Sequence, residues 1–204
     1  MNIGAWASGF QPYGYKSVAF GTPITQGIQA VDGKRLCLVA GAYLPAGTVH
    51  LLQFMYAEGT GSRNTASAGA VSGQAHLFTT AAPKDPGGNA AATPDVIAYQ
   101  LVDGTWEFNL VTSIAGSDIT LTSNITGVDA GGGAAAVAAG AKVMIFGVAA
   151  DLKSFNVNTV ASTERQFVEG QIMAKYFGEP LYFYSPNATA TGFLQYLLFA
   201  YIDK

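Results

Sequence analysis

The chain has 204 residues, half of them hydrophobic, yet only 11% carry charge and the formal net charge is −3. An average soluble domain is roughly 25% charged. Here the ten Lys and Arg are scattered, which argues against electrostatic nucleic-acid binding and against a cationic membrane-surface helix. A single cysteine, Cys37, excludes an internal disulfide and a cysteine-based zinc site.

Residues 1–23 interleave Trp6, Phe10, Tyr13, Tyr15 and Phe20 with glycines and two prolines, and no period of 2 or 3.6 holds across them. Aromatics are scarce in disordered segments, so this stretch reads as an extended N-terminal arm that packs on something. It lacks the charged and apolar regions of a signal peptide, and no apolar run reaches the ~18–20 residues of a transmembrane helix. The expectation is a chain made and used without export.

Residues 24–204 read as a single domain of strands. Residues 24–31 alternate and end at the turn pair Asp32-Gly33. Two apolar β-rich runs, 35–40 and 48–57, are joined by a predicted loop over 41–47. Gly/Ala/Ser-rich segments at 59–73, 81–95 and 129–140 predict long loops, with side chains small enough for close backbone contact with a neighbour.

The clearest local signal is a hairpin. Val96-Ile-Ala-Tyr-Gln-Leu-Val102 and Thr105-Trp-Glu-Phe-Asn-Leu-Val111 flank Asp103-Gly104, a pair suited to a two-residue type I′ turn. Such a loop pairs Val102 with Thr105, Leu101 with Trp106, Tyr99 with Phe108 and Ile97 with Leu110. It leaves Glu107 on the solvent face. Residues 118–122 alternate strictly, and 142–148 form another apolar run.

Residues 162–177 fit two patterns. Thr163 with Gln166 matches a capping box, whereas Gly170 interrupts a helix and Phe167, Met173 and Phe177 also suit an alternating strand. Residues 181–184 and 192–202 predict a closing antiparallel pair. In the second of these, Phe193-Leu-Gln-Tyr-Leu-Leu-Phe-Ala-Tyr-Ile202, Gln195 is the only strongly polar side chain. A strand here has two apolar faces and needs cover on both. Many strands, short turn spacings and at most one short helix predict an all-β fold, an antiparallel β-sandwich or jelly roll.

Reactive constellations were sought along the chain. His50 and His76 have no ligand-type residue at metal-binding spacing. Ala70-Val-Ser-Gly-Gln74 lacks the glycines of a nucleophile elbow, and the Gly-rich stretch at 129–140 lacks the lysine and spacing of a phosphate loop. Asp32, Asp85, Asp95, Asp103 and Asp129 sit in or beside turns, where aspartate is common without catalysis. No catalytic, cofactor-binding or metal-binding residue is assigned, and no enzyme activity is expected.

Two stretches carry a resemblance. Lys34-Arg-Leu-Cys-Leu-Val-Ala-Gly-Ala-Tyr-Leu-Pro-Ala-Gly-Thr-Val-His-Leu-Leu-Gln-Phe-Met55 is one, and the run from Gly178-Glu-Pro-Leu-Tyr-Phe-Tyr-Ser-Pro-Asn187 to Ile202 is the other. Together they span about a quarter of the chain. In style they resemble the Ala/Gly/Thr-rich decoration, or cement, proteins of tailed-bacteriophage heads. That resemblance implies a β-sandwich or jelly roll, commonly trimeric, made in the host cytoplasm and bound to the exterior of the major-capsid lattice. It carries over no binding residue.

The expected partners are therefore the chain itself, as a homo-oligomer with a trimer favoured, and a major capsid protein, with neither nucleic acid nor membrane. Candidate interface residues are Trp6, Phe10, Tyr13 and Tyr15 in the arm, and Leu194, Tyr196, Leu198 and Ile202 on one face of the last strand. The alternative is a receptor- or carbohydrate-binding module of a head or tail fibre, in which Trp6, Trp106 and exposed tyrosines stack on sugars.

Overall fold

The computed structural model describes residues 10–18, 27–44, 50–93, 95–127, 135–147, 153–157, 165–166, 171–172, 176–184 and 194–203, and most of its strands form where apolar residues alternate or run together. These described residues contain no helix, and the fold is all-β and antiparallel. In chain order the strands are β1 (Phe10–Val18), β2 (Gly27–Ile28), β3 (Lys34–Leu44), β4 (His50–Met55), β5 (Arg63–Thr65), β6 (His76–Phe78), β7 (Val96–Gln100) and β8 (Trp106–Ala115). Then follow β9 (Asp118–Leu121), β10 (Lys142–Phe146), β11 (Lys153–Val157), β12 (Arg165–Gln166), β13 (Gln171–Ile172), β14 (Leu181–Tyr184) and β15 (Leu194–Asp203). The chain divides into two compact units, one of residues 1–54 with 153–204, the other of residues 55–152.

In the first unit β15 is an interior strand. It pairs with β1 from Phe10↔Ile202 to Val18↔Gln195, and with β3 from Leu194↔Leu44 to Asp203↔Lys34. β12 and β13 join the same sheet through β3. A second sheet has the order β11-β4-β14-β2. Two expectations are corrected here and one left open is decided for its described residues. β14 and β15 do not pair with each other but belong to different sheets. The strand that begins at Lys34 continues to Leu44, so the first four residues of the predicted loop at 41–47 are sheet. Within 162–177 the described pieces are β12 and β13. Pairing with β3 supplies their backbone hydrogen bonds, while Gly170 would cost a helix about 1 kcal/mol.

The second unit is one curled sheet with strand order β5-β10-β7-β8-β9-β6. Its two ends meet at an antiparallel bridge between Ala66 and Thr79. There the Ser67 N–H donates to the Phe78 carbonyl at 2.8 Å and the Thr80 N–H to the Thr65 carbonyl at 2.9 Å. Closure removes the unpaired edges that invite aggregation. Inside the curl Leu77, Ile97, Tyr99, Val111, Ile119, Val143 and Ile145 are wholly buried, each aliphatic side chain contributing about 1.5–3 kcal/mol.

Described residues of the Gly/Ala-rich segments join this core, Ala66, Ala70, Ala91, Ala136 and Val137 among them. Ala70 and Val137 exchange backbone hydrogen bonds at 2.9 and 3.0 Å, and both are buried. Small residues are required there, because a Cβ on Gly69 would sit 3.0 Å from the Ala135 methyl.

The hairpin forms where expected, in a different register. β7 and β8 pair Gln100 with Trp106, Tyr99 with Glu107, Ala98 with Phe108 and Ile97 with Asn109. The turn has three residues, Val102-Asp103-Gly104. The Gly104 N–H donates to the Leu101 carbonyl at 2.9 Å and the Leu101 N–H to the Thr105 carbonyl at 2.8 Å. Gly104 alone takes the left-handed conformation, at φ +86°, which is the three-residue loop with a glycine bulge.

Thr105 explains the choice. Its N–H and hydroxyl both donate to Asp103 Oδ1, at 2.9 and 2.6 Å, fixing Asp103 before the bulge. These two bonds, the hydroxyl's first, also hold the exposed Asp103 carboxyl below its ordinary range. The one-residue slip exchanges the expected partners. Trp106 and Phe108 stay buried, Phe108 stacking on Phe146 with ring centroids 6.3 Å apart, while Glu107 is turned toward Tyr99.

Two glycine substitutions test this geometry. Gly104→Ala is expected to destabilise by about 1 kcal/mol, the cost of placing a Cβ in a left-handed conformation. Gly147→Ala brings a methyl within 2.4 Å of the Asp85 Cβ. It is expected to cost more, about 1–3 kcal/mol, because the contact is between packed groups. Urea denaturation midpoints check both values and their order.

Candidate functional site

The β1–β15–β3 register brings together most of the residues singled out from the sequence. Phe10 lies opposite Ile202 and Tyr15 opposite Leu198, while Leu194 and Tyr196 lie opposite Leu44 and Ala42. The two-residue period of a strand puts positions 10, 15, 194, 196, 198 and 202 on one face of the sheet. Tyr13 falls at the register shift between Pro12 and Gly14. Trp6 lies outside the described residues.

The second unit holds polar groups that the expected register concealed. Tyr99 O–H donates to Glu107 Oε1 at 2.9 Å. The same carboxylate accepts the Thr126 N–H on both oxygens, at 2.9 and 3.0 Å, and the Gly127 N–H at 3.0 Å. Asn109, buried beside them, accepts the Leu110 and Ser123 N–H groups and donates to the Ser123 carbonyl at 2.8 Å and to the Tyr99 oxygen at 3.4 Å. Burial, above all, drives the Tyr99 phenol far above its ordinary pKa, so it acts as a neutral hydrogen-bonding group. Glu107 and Asn109 thus tie the segment after β9 onto the hairpin. Asn64 does the same for residue 81, bonding both its N–H and its carbonyl.

On the outer face of β6 and β9, His76 Nδ1 lies 3.1 Å from Asp118 Oδ1, with the histidine side chain 53% exposed. Phe78, 45% exposed, is directly opposite Asp118. Asp118 is the acidic partner of His76. His50 lies opposite Val157 in the β4–β11 register. Ser72 is exposed and donates to the Ile125 carbonyl at 3.4 Å. Trp106 is buried, so it offers no surface for sugar stacking.

The turn aspartates split by environment. Asp85 is buried and accepts the N–H and Nδ2 of Asn89. Burial lifts the Asp95 carboxyl above its ordinary value, a hydrogen bond from the Ala92 N–H opposes the rise, and the Asp85 carboxylate adds to it. Among the described residues no group of three or more His, Cys, Asp or Glu is placed to hold a metal ion. Nor is any described helix long and apolar enough to cross a membrane.

Comparison with protein-family models, with curated proteins and with solved structures found no match to this chain.

Two predictions come from these polar groups. Glu107→Ala strands the Thr126 and Gly127 N–H groups and the Tyr99 hydroxyl, and is expected to cost about 1–3 kcal/mol. Tyr99→Phe removes one bond and is expected to cost about 0.5–1.5 kcal/mol, both read from denaturation midpoints. Asp95 sets a pH dependence of known sign. A carboxyl with a raised folded-state pKa binds its proton more tightly when folded, so stability is gained as pH falls through the raised value and lost as pH rises through it. Asp95→Asn is expected to exceed the parent in melting temperature at neutral pH, and to lose that advantage at a pH below 3.8.

Proposed function

We propose that this chain is a virion structural protein, a capsid decoration protein that assembles as a homo-oligomer, with a trimer favoured, on the exterior of a major-capsid lattice and reinforces it. The observation that carries this reading is the apolar sequence of β15 on both of its faces, in a chain with only 11% charged residues. A sheet built around such a strand must be covered on both sides, and depletion of charge is what the core of a protein–protein interface shows. The candidate contact residues of β1 and β15 share one register face, which makes them one surface of six positions, not two separate ones. The resemblance to phage decoration proteins names the lattice. The same reading makes the chain a structural component without catalytic activity.

A second reading, a receptor- or carbohydrate-binding module, has one observation in its favour. Phe78 is exposed on β6 beside Asp118 and His76, an aromatic platform with hydrogen-bonding neighbours. This patch replaces the buried Trp106 as the place where a sugar would stack.

Co-sedimentation with capsids that lack this protein separates the two. Lattice binding predicts saturable recovery of the chain in the capsid pellet and an oligomer by light scattering. Failure to pellet, together with a stable monomer at micromolar concentration, would sink it. The sugar-binding reading predicts glycan-array signals that Phe78→Ala abolishes.

A further inference from the structure

We infer that Asp103-Gly104 is a masked isoaspartate site, and that Thr105 is the residue that masks it. The inference concerns the β7–β8 turn alone and does not depend on the assembly reading above.

An aspartate followed by glycine is open to a spontaneous reaction of the main chain. The nitrogen of the glycine attacks the aspartate Cγ. An N–Cγ bond forms and a Cγ–O bond breaks, the oxygen leaving as water with the amide proton. Water then opens the cyclic imide at either carbonyl. Opening at Cγ restores aspartate. Opening at the main-chain carbonyl leaves isoaspartate, with the chain running through Cβ and Cγ and lengthened by a methylene. Water is the only co-reactant.

Nothing in the packing of the turn hinders this chemistry. Glycine has no Cβ to shield its nitrogen. Residues 102–105 are exposed, and a Cβ placed on Gly104 would meet no atom within 4 Å.

The protection lies in hydrogen bonds at both reacting atoms. The Thr105 hydroxyl donates to Asp103 Oδ1 at 2.6 Å and the Thr105 N–H to the same oxygen at 2.9 Å. Both bonds favour the ionised carboxyl, in keeping with its lowered pKa. An ionised carboxyl has no hydroxyl to lose as water, so the form held by Thr105 is the unreactive one. At the other atom, the Gly104 N–H donates to the Leu101 carbonyl at 2.9 Å, inside the loop closed by the Leu101 N–H and the Thr105 carbonyl at 2.8 Å. Freeing that nitrogen for attack breaks the first of these bonds and opens the turn.

The site matters because this turn sets the register of β7 and β8, which directs Glu107 to the Tyr99 hydroxyl. An added methylene between the two strands would disturb that register. Thr105 therefore preserves the hairpin over time as well as shaping it at the outset.

Ageing the full chain tests this. The parent, Thr105→Val, Thr105→Ala and Thr105→Ser are incubated at neutral pH, each folded in buffer and unfolded in urea. Isoaspartate is measured by methyltransferase labelling. It is placed at residue 103 by the loss of cleavage there with an aspartate-directed protease. Circular dichroism identifies which variants remain folded.

Masking predicts that residue 103 isomerises about tenfold more slowly in the folded parent than in the unfolded chain. Folded Thr105→Val or Thr105→Ala is expected to recover most of that rate, while Thr105→Ser, which keeps the hydroxyl, stays near the parent. Equal rates in the folded and unfolded parent would overturn the mask. A slow parent joined by equally slow folded Val and Ala variants would overturn the role of Thr105. Should both of those variants unfold, a folded Thr105→Ser that isomerises as fast as the unfolded chain would overturn it, and one that matches the folded parent would support it.

Discussion

The constraint on which the first unit depends is that β15 has no polar side. Its N–H and C=O groups must be paired along two edges, and its apolar residues recur at every register position except those of Gln195 and Asp203. Backbone groups left unpaired away from water cost as much as lost hydrogen bonds, so such a strand is viable only in the interior of a sheet. β3 on one side and β1 on the other meet that need. The arm-like composition of residues 10–18, rich in aromatics yet broken by glycine and proline, becomes intelligible as that of a strand paired along β15 with one register shift at Pro12 and Gly14.

The second unit meets the edge problem differently, by bringing its own two ends together through residues 65–67 and 78–80. Closing six strands leaves a narrow interior, filled by aliphatic side chains from β6, β7, β8, β9 and β10 and by alanines from the intervening segments. Polar groups enter that interior where backbone segments without a strand partner need to be tied down. Glu107, Asn109 and Asn64 each bond backbone groups far away in sequence. A carboxylate or amide is better suited to this than a hydrophobe, because it satisfies N–H groups that the ladder does not reach.

The strands themselves were legible from alternation, and the hairpin from its flanking runs. The register was not, and the reason is specific. Asp103-Gly104 suits a two-residue turn, but Thr105 bonds Asp103 with both its N–H and its hydroxyl, and this favours the three-residue loop. One residue of slip then moved Glu107 from the solvent side to a clamp. The sheet partners of β14 were also illegible, since two neighbouring apolar runs look like a hairpin whether or not they pair. Residues 162–177 fit both a helix and a strand pattern, and what decides for the described pieces β12 and β13 is pairing with the long strand β3, which lies elsewhere in the sequence. Leu194, Tyr196, Leu198 and Ile202 share a face by local alternation. That Phe10 and Tyr15 join them depends on the pairing of β1 with β15, which no local pattern encodes.

That pairing also sets a clock. Lys34 finds its partner at Asp203 and Phe10 at Ile202, whereas every strand of the curled unit lies within residues 55–152. During synthesis the curled unit emerges whole and can fold while translation continues. β1 and β3 meanwhile wait for β15, and the stretch between Leu44 and Leu194 takes about 7 to 30 s to translate at ~5–20 residues per second. For that interval two apolar strands stand exposed on the nascent chain. The order of folding is written into the topology, the inserted unit first and its discontinuous host later, and the period of greatest risk of misassembly falls just before β15 appears.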